Sequence, residues 1–135
     1  MQPLDWKVVP RGDIHHSHTR TYVTMNPKGE IVLNGAAWKR VGEPAAFLVM
    51  YNPPNSLILL KPTAAAMKDA YPLRKRGPRD GRVVRVLRLL TEFNIKLPDT
   101  VEFREPEIDR DCQMTLDLRT ARVSPKAHSQ CRAKK

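Results

Sequence analysis

Basic side chains are the residues of this sequence best suited to chemistry, and they are concentrated in one short stretch. The run RKRGPRDGRVVRVLR, residues 74–88, contains seven lysines and arginines and a single acid. Guanidinium and ammonium groups bind phosphate, and each phosphate of duplex DNA that is neutralised releases roughly 0.9 of a counterion. This stretch predicts a polyanion-binding segment, and the alternative is a solvated basic face that only maintains solubility.

The charge of the whole chain favours a polyanionic partner as well. Its 135 residues carry a formal charge of +10, and the isoelectric point is near 10.1. Nucleic acid is the leading candidate, although an anionic membrane surface would also attract such a protein. Aromatic residues make up only 6% of the chain and do not interleave with the arginines, which disfavours a base-stacking platform for single strands. Contact with a groove or with the phosphate backbone fits better.

Three histidines, His15, His16 and His18, form the strongest candidate for a metal site. Imidazole is a common ligand of zinc, copper and nickel. Three clustered histidines without a second cluster leave the site incomplete, so we interpret the segment as a polar arm. We expect no metal and no other cofactor.

A run of alternating carboxylates, Glu105, Glu107, Asp109 and Asp111, is the second candidate for metal chemistry. On an extended segment these side chains would share one face and could hold a divalent cation, as a nuclease requires. The intervening Pro106 and the turn-like DRD favour instead a solvated hairpin tip.

Searches for catalytic motifs return nothing. No serine has a GxSxG setting, GPRDG is neither a Walker loop nor GxGxxG, and the two cysteines lie 19 residues apart without CxxC spacing. We therefore expect neither an enzyme, nor a disulfide framework, nor a cysteine zinc site.

The elements that must position the basic residues begin with a hairpin at Thr21–Leu33, where the β-prone TYVTM and EIVL flank the tight-turn sequence NPKG. Asn34 can cap a short helix at Gly35–Val41, and Gly42 supplies a left-handed stop. The apolar AAFLVMY and SLILLKP follow as two strands around the turn NPPN. The order of elements is therefore β-β-α-β-β.

The second half starts with a connector and then a helix. Residues 63–81 predict a connector with at most a helical turn at the alanines, followed by a Pro/Gly-punctuated basic loop. In the following GRVVRVLRLLTEFN the apolar residues recur at helical spacing, with arginines opposite, which predicts an amphipathic helix with a basic face. Its apolar side is formed by Val83, Val86, Leu87, Leu90 and Phe93.

Two further strands, TVEFREPEI and CQMTLDLRTARV, surround the charged loop DRD and form a second hairpin. A strand, a short polar turn and an apolar strand thus occur twice, once around NPKG and once around DRDC. This weak internal repeat predicts that both strand pairs lie in one barrel or sheet.

The expected organisation of the chain has five parts. They are a flexible N-terminal arm at 1–20, an AbrB-like hairpin domain at 21–62, a basic connector at 63–81, a helix and hairpin unit at 82–123, and a basic disordered tail at 124–135. No apolar run approaches the roughly 20 residues that cross a bilayer, and the first residues lack a signal-peptide pattern. We expect a cytoplasmic, nucleoid-associated protein without a membrane partner.

The segment PKGEIVLNGAAWKRVGEPAAFLVMYNPPNSLILLKP, residues 27–62, resembles the AbrB-type swapped-hairpin family and its MraZ relatives. The residues that carry the resemblance are Lys28, Gly29, Ile31, Leu33, Trp38, Val41, Gly42, Phe47, Val49, Leu57, Ile58 and Leu60. Two positions depart from the family pattern, since Glu30 replaces an arginine and Asn34 replaces a proline. The resemblance implies a homodimer in which hairpins of two chains interleave and present a basic face to DNA.

We therefore predict an α+β, mostly β protein: an AbrB-like β-β-α-β-β swapped-hairpin unit followed by a basic amphipathic helix and a second β-hairpin. The predicted function is binding of duplex DNA, as a transcriptional regulator or nucleoid-type protein. The predicted nucleic-acid-binding residues are Lys28, Lys39, Arg40, Arg74, Lys75, Arg76, Arg79, Arg82, Arg85 and Arg88.

Two other functions agree with the same composition. A basic chain with arginine-rich loops also suits an RNA-binding or ribosome-associated protein, because charge does not distinguish A-form from B-form helices. A self-assembling scaffold protein, whose charge only keeps it soluble, is the second alternative.

Overall fold

A computed structural model describes residues 20–77 and 80–123, and within these ranges the chain is mostly β. No helix in the described ranges is long and apolar enough to cross a membrane. The strands are β1 Val23–Met25, β2 Glu30–Leu33, β3 Ala46–Asn52, β4 Leu57–Thr63, β5 Tyr71–Arg76, β6 Gly81–Arg85, β7 Val101–Glu102, β8 Glu107–Ile108, β9 Met114–Asp117 and β10 Arg122–Val123. The helices are α1 Gly35–Arg40 and α2 Leu87–Glu92, and Pro53–Asn55 forms a 3-10 turn.

All strands belong to one antiparallel sheet that curls into a half-barrel. The strand order is β10-β7-β1-β2-β6-β5-β3-β4-β9-β8. Apolar side chains from both halves of the chain fill the inside, and the largest buried ones are Phe47, Phe103 and Met25. One sheet therefore contains segments that were predicted from the sequence to form separate units.

The elements predicted for the first half are confirmed. The hairpin β1–β2 turns at Asn26, whose side-chain oxygen accepts hydrogen bonds from the backbone N–H groups of Lys28 and Glu30. Helix α1 begins after Asn34, which accepts a hydrogen bond of 2.9 Å from the N–H of Ala37. The helix stops before Gly42, where φ is +87°. Strands β3 and β4 then pair along their full lengths.

Two predictions for the second half are wrong. Part of the expected connector is strand β5, and the first five residues of the expected amphipathic helix form strand β6. Only α2, a turn and a half, is helical. Leu87 and Phe93, assigned to the apolar side of that helix, are 55% and 43% exposed.

Tertiary pairing explains why β6 is a strand. It lies between β2 and β5, so its backbone N–H and C=O groups are satisfied on both sides. Its β-branched Val83 and Val84 favour this conformation over a helix. Strand β5 tolerates its proline at Pro72, which lies opposite Ala46, the residue at which the partner strand β3 begins.

The second hairpin is confirmed in part. Strands β8 and β9 pair around a turn at Asp109, whose carboxylate accepts hydrogen bonds from the N–H groups of Asp111 and Gln113. The same pattern holds at Asn26 in the first hairpin, and both strand pairs lie in one sheet, as the internal repeat predicted. However, TVEFREPEI does not form one strand, because β7 pairs with β1 and β10 instead of β9.

The sheet reveals two β-β-α-β-β units that interleave within one chain. The first unit comprises β1, β2, α1, β3 and β4, and the second comprises β5, β6, α2, β8 and β9. Their first hairpins meet through β2–β6, and their second hairpins meet through β4–β9. Exchanging the two units preserves the strand order within each of the two four-strand groups, β1-β2-β6-β5 and β3-β4-β9-β8.

The two helices confirm this correspondence in detail, because α2 repeats α1 at an offset of 52 residues. After the last turn of each helix, three successive backbone N–H groups donate hydrogen bonds to carbonyls at equivalent positions in the two helices. Glu43 donates to Trp38 and Ile95 to Leu90, both at 2.9 Å. Gly42 and its counterpart Asn94 both have positive φ.

This arrangement changes the reason for expecting a homodimer. The resemblance implied hairpins from two chains, whereas here the complementary hairpins come from one chain. The tip of each first hairpin also packs against the start of the other unit's helix: Gly29 lies against Leu87, and Asp80 lies against Gly35. Interleaving therefore requires no second copy.

Candidate nucleic-acid interface

The hairpin β5–β6 carries most of the basic residues that the sequence singled out. Opposite residues of paired strands point to the same side of a sheet, and side chains alternate along each strand. Arg74 lies opposite Val83, and Arg85, which is paired with Glu30, is two positions after Val83 on the same strand. Arg74, Arg76 and Arg85 therefore project from the same side of the sheet, opposite to the side on which Val84 is buried.

We call this surface the basic face and define it by Arg74, Arg76, Arg85 and Lys28. Lys28 lies in the adjacent β1–β2 turn, and its charge acts on Glu30 together with those of Arg76 and Arg85. All four cations are exposed. Within the described residues, Lys28, Arg74 and Arg76 form no ion pair or side-chain hydrogen bond. These three are therefore available to an anionic ligand.

Glu30 lies within the basic face. One of its carboxylate oxygens accepts a hydrogen bond of 2.9 Å from Asn26 Nδ2, and the other lies 3.4 Å from Arg85 Nε. The Asn26 hydrogen bond lowers the pKa of Glu30, and partial burial opposes that effect. Nearby cations, Arg85 foremost, lower the same pKa further. The carboxylate thus stays ionised and holds Arg85 in place.

The lowered pKa of Glu30 leads to a testable pH dependence. A carboxyl group with a depressed pKa in the folded state stabilises the fold above its unfolded pKa, near 4.3, and loses that contribution as the pH falls. We expect the wild-type free energy of unfolding to fall more between pH 7 and pH 3 than that of Glu30→Gln. Urea unfolding at both pH values measures this difference. Equal losses in both proteins would contradict the expectation.

Arg82, in contrast, is committed to the fold. Its guanidinium carbon lies 3.6 Å from the centre of the Trp38 ring, and Nη1 donates hydrogen bonds to the carbonyls of Asp80 and Gly81. Trp38 is half-buried beneath this arginine, and its indole N–H donates to the Pro44 carbonyl. The stack joins the second unit's hairpin to the first unit's helix.

Replacing Arg82 therefore tests structure and not ligand contact. A cation over an indole contributes about 0.5 to 1 kcal/mol at an exposed site, so Arg82→Ala should lower stability by about that amount. Duplex affinity should change much less than in Arg74→Ala, a charge-matched control on the same hairpin. Thermal unfolding and a binding titration of both variants provide the comparison. A larger loss of affinity in Arg82→Ala would assign Arg82 to the interface.

The remaining predicted binding residues are dispersed. Lys39 lies 3.6 Å from Asp80, Arg40 donates to the Thr21 hydroxyl, and Arg88 is paired with Glu92 at 2.8 Å on α2. Lys75 points to the opposite side of β5 from Arg74 and Arg76. Arg79 lies outside the described residues. The described residues among those predicted to bind nucleic acid are thus divided between two strands, a turn and two helices.

No family model, curated protein or solved structure matches this chain. Its own geometry is therefore the basis for any functional assignment.

The structure describes only one of the two candidate metal sites that the sequence suggested. His15, His16 and His18 lie outside the described residues. Asp109 uses its carboxylate to close the β8–β9 turn. The described residues contain no group of three or more metal-ligating side chains.

Sequence reasoning did not identify the Glu30–Arg85 pair or the Arg82–Trp38 stack. Both join residues that are 44 or more positions apart in the chain, and both depend on the β2–β6 pairing. A local signal was the alternation of apolar and basic residues in VRV, residues 84–86, which suits a strand but was interpreted at helical spacing.

Proposed function

We propose that this protein binds duplex nucleic acid through the basic face, with DNA as the preferred partner. The observation that carries the proposal is a group of three exposed cations that have no ion pair within the described residues: Arg74 and Arg76 on one side of β5, and Lys28 in the neighbouring β1–β2 turn. Strand pairing holds their backbones rigidly, so little order must be gained when phosphates bind. Contacts of this kind give affinity and steep salt dependence without reading bases.

The sequence resemblance to AbrB-type proteins supports DNA over RNA and a role in transcription regulation or nucleoid organisation. Two interleaved β-β-α-β-β units are also compatible with that resemblance. The small number of exposed aromatic side chains on the basic face argues for phosphate contact instead of base stacking.

The test is the affinity for a short duplex DNA across a range of salt concentrations, with structured RNA as competitor. A logarithmic affinity that falls linearly with the logarithm of salt supports the proposal. Affinity that is insensitive to salt, or stronger competition by RNA, would contradict the phosphate-contact mechanism or the preference for DNA, respectively.

A further inference from the structure

The two interleaved units have the same architecture but very different charges. Residues 23–33, which span the first unit's first hairpin, contain one basic residue and one acid, whereas residues 71–86 of the second unit contain six basic residues and one acid. The second hairpins differ in the opposite sense. Residues 46–63 have a single lysine, and residues 101–118 have six acids and two basic residues.

From this asymmetry we infer that one chain binds one duplex in a single orientation, on a site without two-fold symmetry. The inference rests on the proposed function. A symmetric dimer presents the same contacts twice and matches a palindromic pair of half-sites. In this chain the β5–β6 hairpin supplies Arg74 and Arg76, while its counterpart β1–β2 supplies Lys28 and places Glu30 next to it.

The position of the acidic hairpin fixes the orientation. Strand β8 is at one end of the strand order, and β5 and β6 are near its middle, so the acidic and basic hairpins are not neighbours in the sheet. The cations of the basic face attract phosphates, whereas Glu105 and Glu107 repel them. A duplex turned toward β8 would meet these carboxylates directly.

The stoichiometry of the complex is the first test. Sedimentation or native mass measurement with a 16-base-pair duplex of non-palindromic sequence should show one chain per duplex at saturation. Two chains per duplex with retained binding would overturn this inference and leave the proposed function intact. Absence of binding at any salt concentration would instead overturn the proposed function.

Charge variants on the two second-unit hairpins provide the second test. The double substitution Glu105→Gln and Glu107→Gln raises the net charge by two, yet we expect the salt slope to stay unchanged because the proposed orientation leaves these carboxylates out of contact with phosphates. Arg74→Ala should reduce the slope by about 0.9. A tenfold gain in affinity from the glutamine variant would show that the acidic hairpin faces the duplex, which contradicts the proposed orientation.

Discussion

Replacing Lys28, Arg74 and Arg76 together with alanine is expected to weaken duplex binding on the order of 100-fold at low salt. Each exposed contact between a basic side chain and an anionic surface contributes about 1 kcal/mol, and 1.4 kcal/mol corresponds to a factor of ten. The slope of log affinity against log salt should fall by about 2.7, since each lost phosphate contact removes roughly 0.9. Fluorescence anisotropy at four or more salt concentrations measures both quantities.

A charge-matched control separates local contact from total charge. Lys68, Lys96 and Arg110 are exposed and lie on three other segments of the chain. Their triple alanine variant loses the same three charges, but we expect its affinity to fall only a few-fold. If both triple variants weakened binding equally, general electrostatic attraction would explain the affinity and the basic face would not be the interface. Unchanged binding in the first variant would place the interface elsewhere.

Substitution of Gly29 by alanine should cause a large loss of stability. Its φ is +84°, where an alanine costs about 1 to 2 kcal/mol, and an added Cβ would lie only 2.6 Å from Leu87 Cα. The two nearest atoms belong to the backbone at the start of α2, so removing this steric clash requires the β1–β2 turn and α2 to move apart. Overpacking of this kind costs about 1 to 3 kcal/mol more. We expect a total of about 3 kcal/mol in urea unfolding.

Gly77 provides the control for this measurement. Its φ is +74°, close to that of Gly29, but an added Cβ would meet no atom within 4 Å. Gly77→Ala should therefore lower stability by only about 1 kcal/mol. If the two variants lost equal stability, the contact between the β1–β2 turn and α2 would contribute nothing to the joining of the two units.

Elements with local causes could be predicted from the sequence alone. The β1–β2 hairpin depends on Asn26 and Gly29, which form the turn through the residues immediately around them. Helix α1 depends on Asn34 and Gly42 in the same manner, because caps act within a few residues. The charge balance and the concentration of arginines in residues 74–88 are also properties of composition.

Tertiary structure decided the state of residues 71–86. The segment GRVVRV satisfies a helical spacing as well as a strand alternation, and local propensity does not choose between them. The choice comes from β2 and β5, which offer hydrogen-bond partners on both edges and cover Val84 completely. Strand β5 is joined to β6 by a short turn, but β2 is far from β6 in sequence, so no local window contains both partner strands.

Local sequence likewise does not determine which basic residues form the candidate site. Sequence alone identified Lys28, Arg74 and Arg76 as basic residues that could bind phosphate, because charge belongs to each side chain. Only the fold decided that these three remain unpaired on one side of the sheet, whereas Arg82 and Arg85 are held by Trp38 and Glu30. Pairing depends on distances between residues far apart in the chain, and those distances exist only once the two units have interleaved.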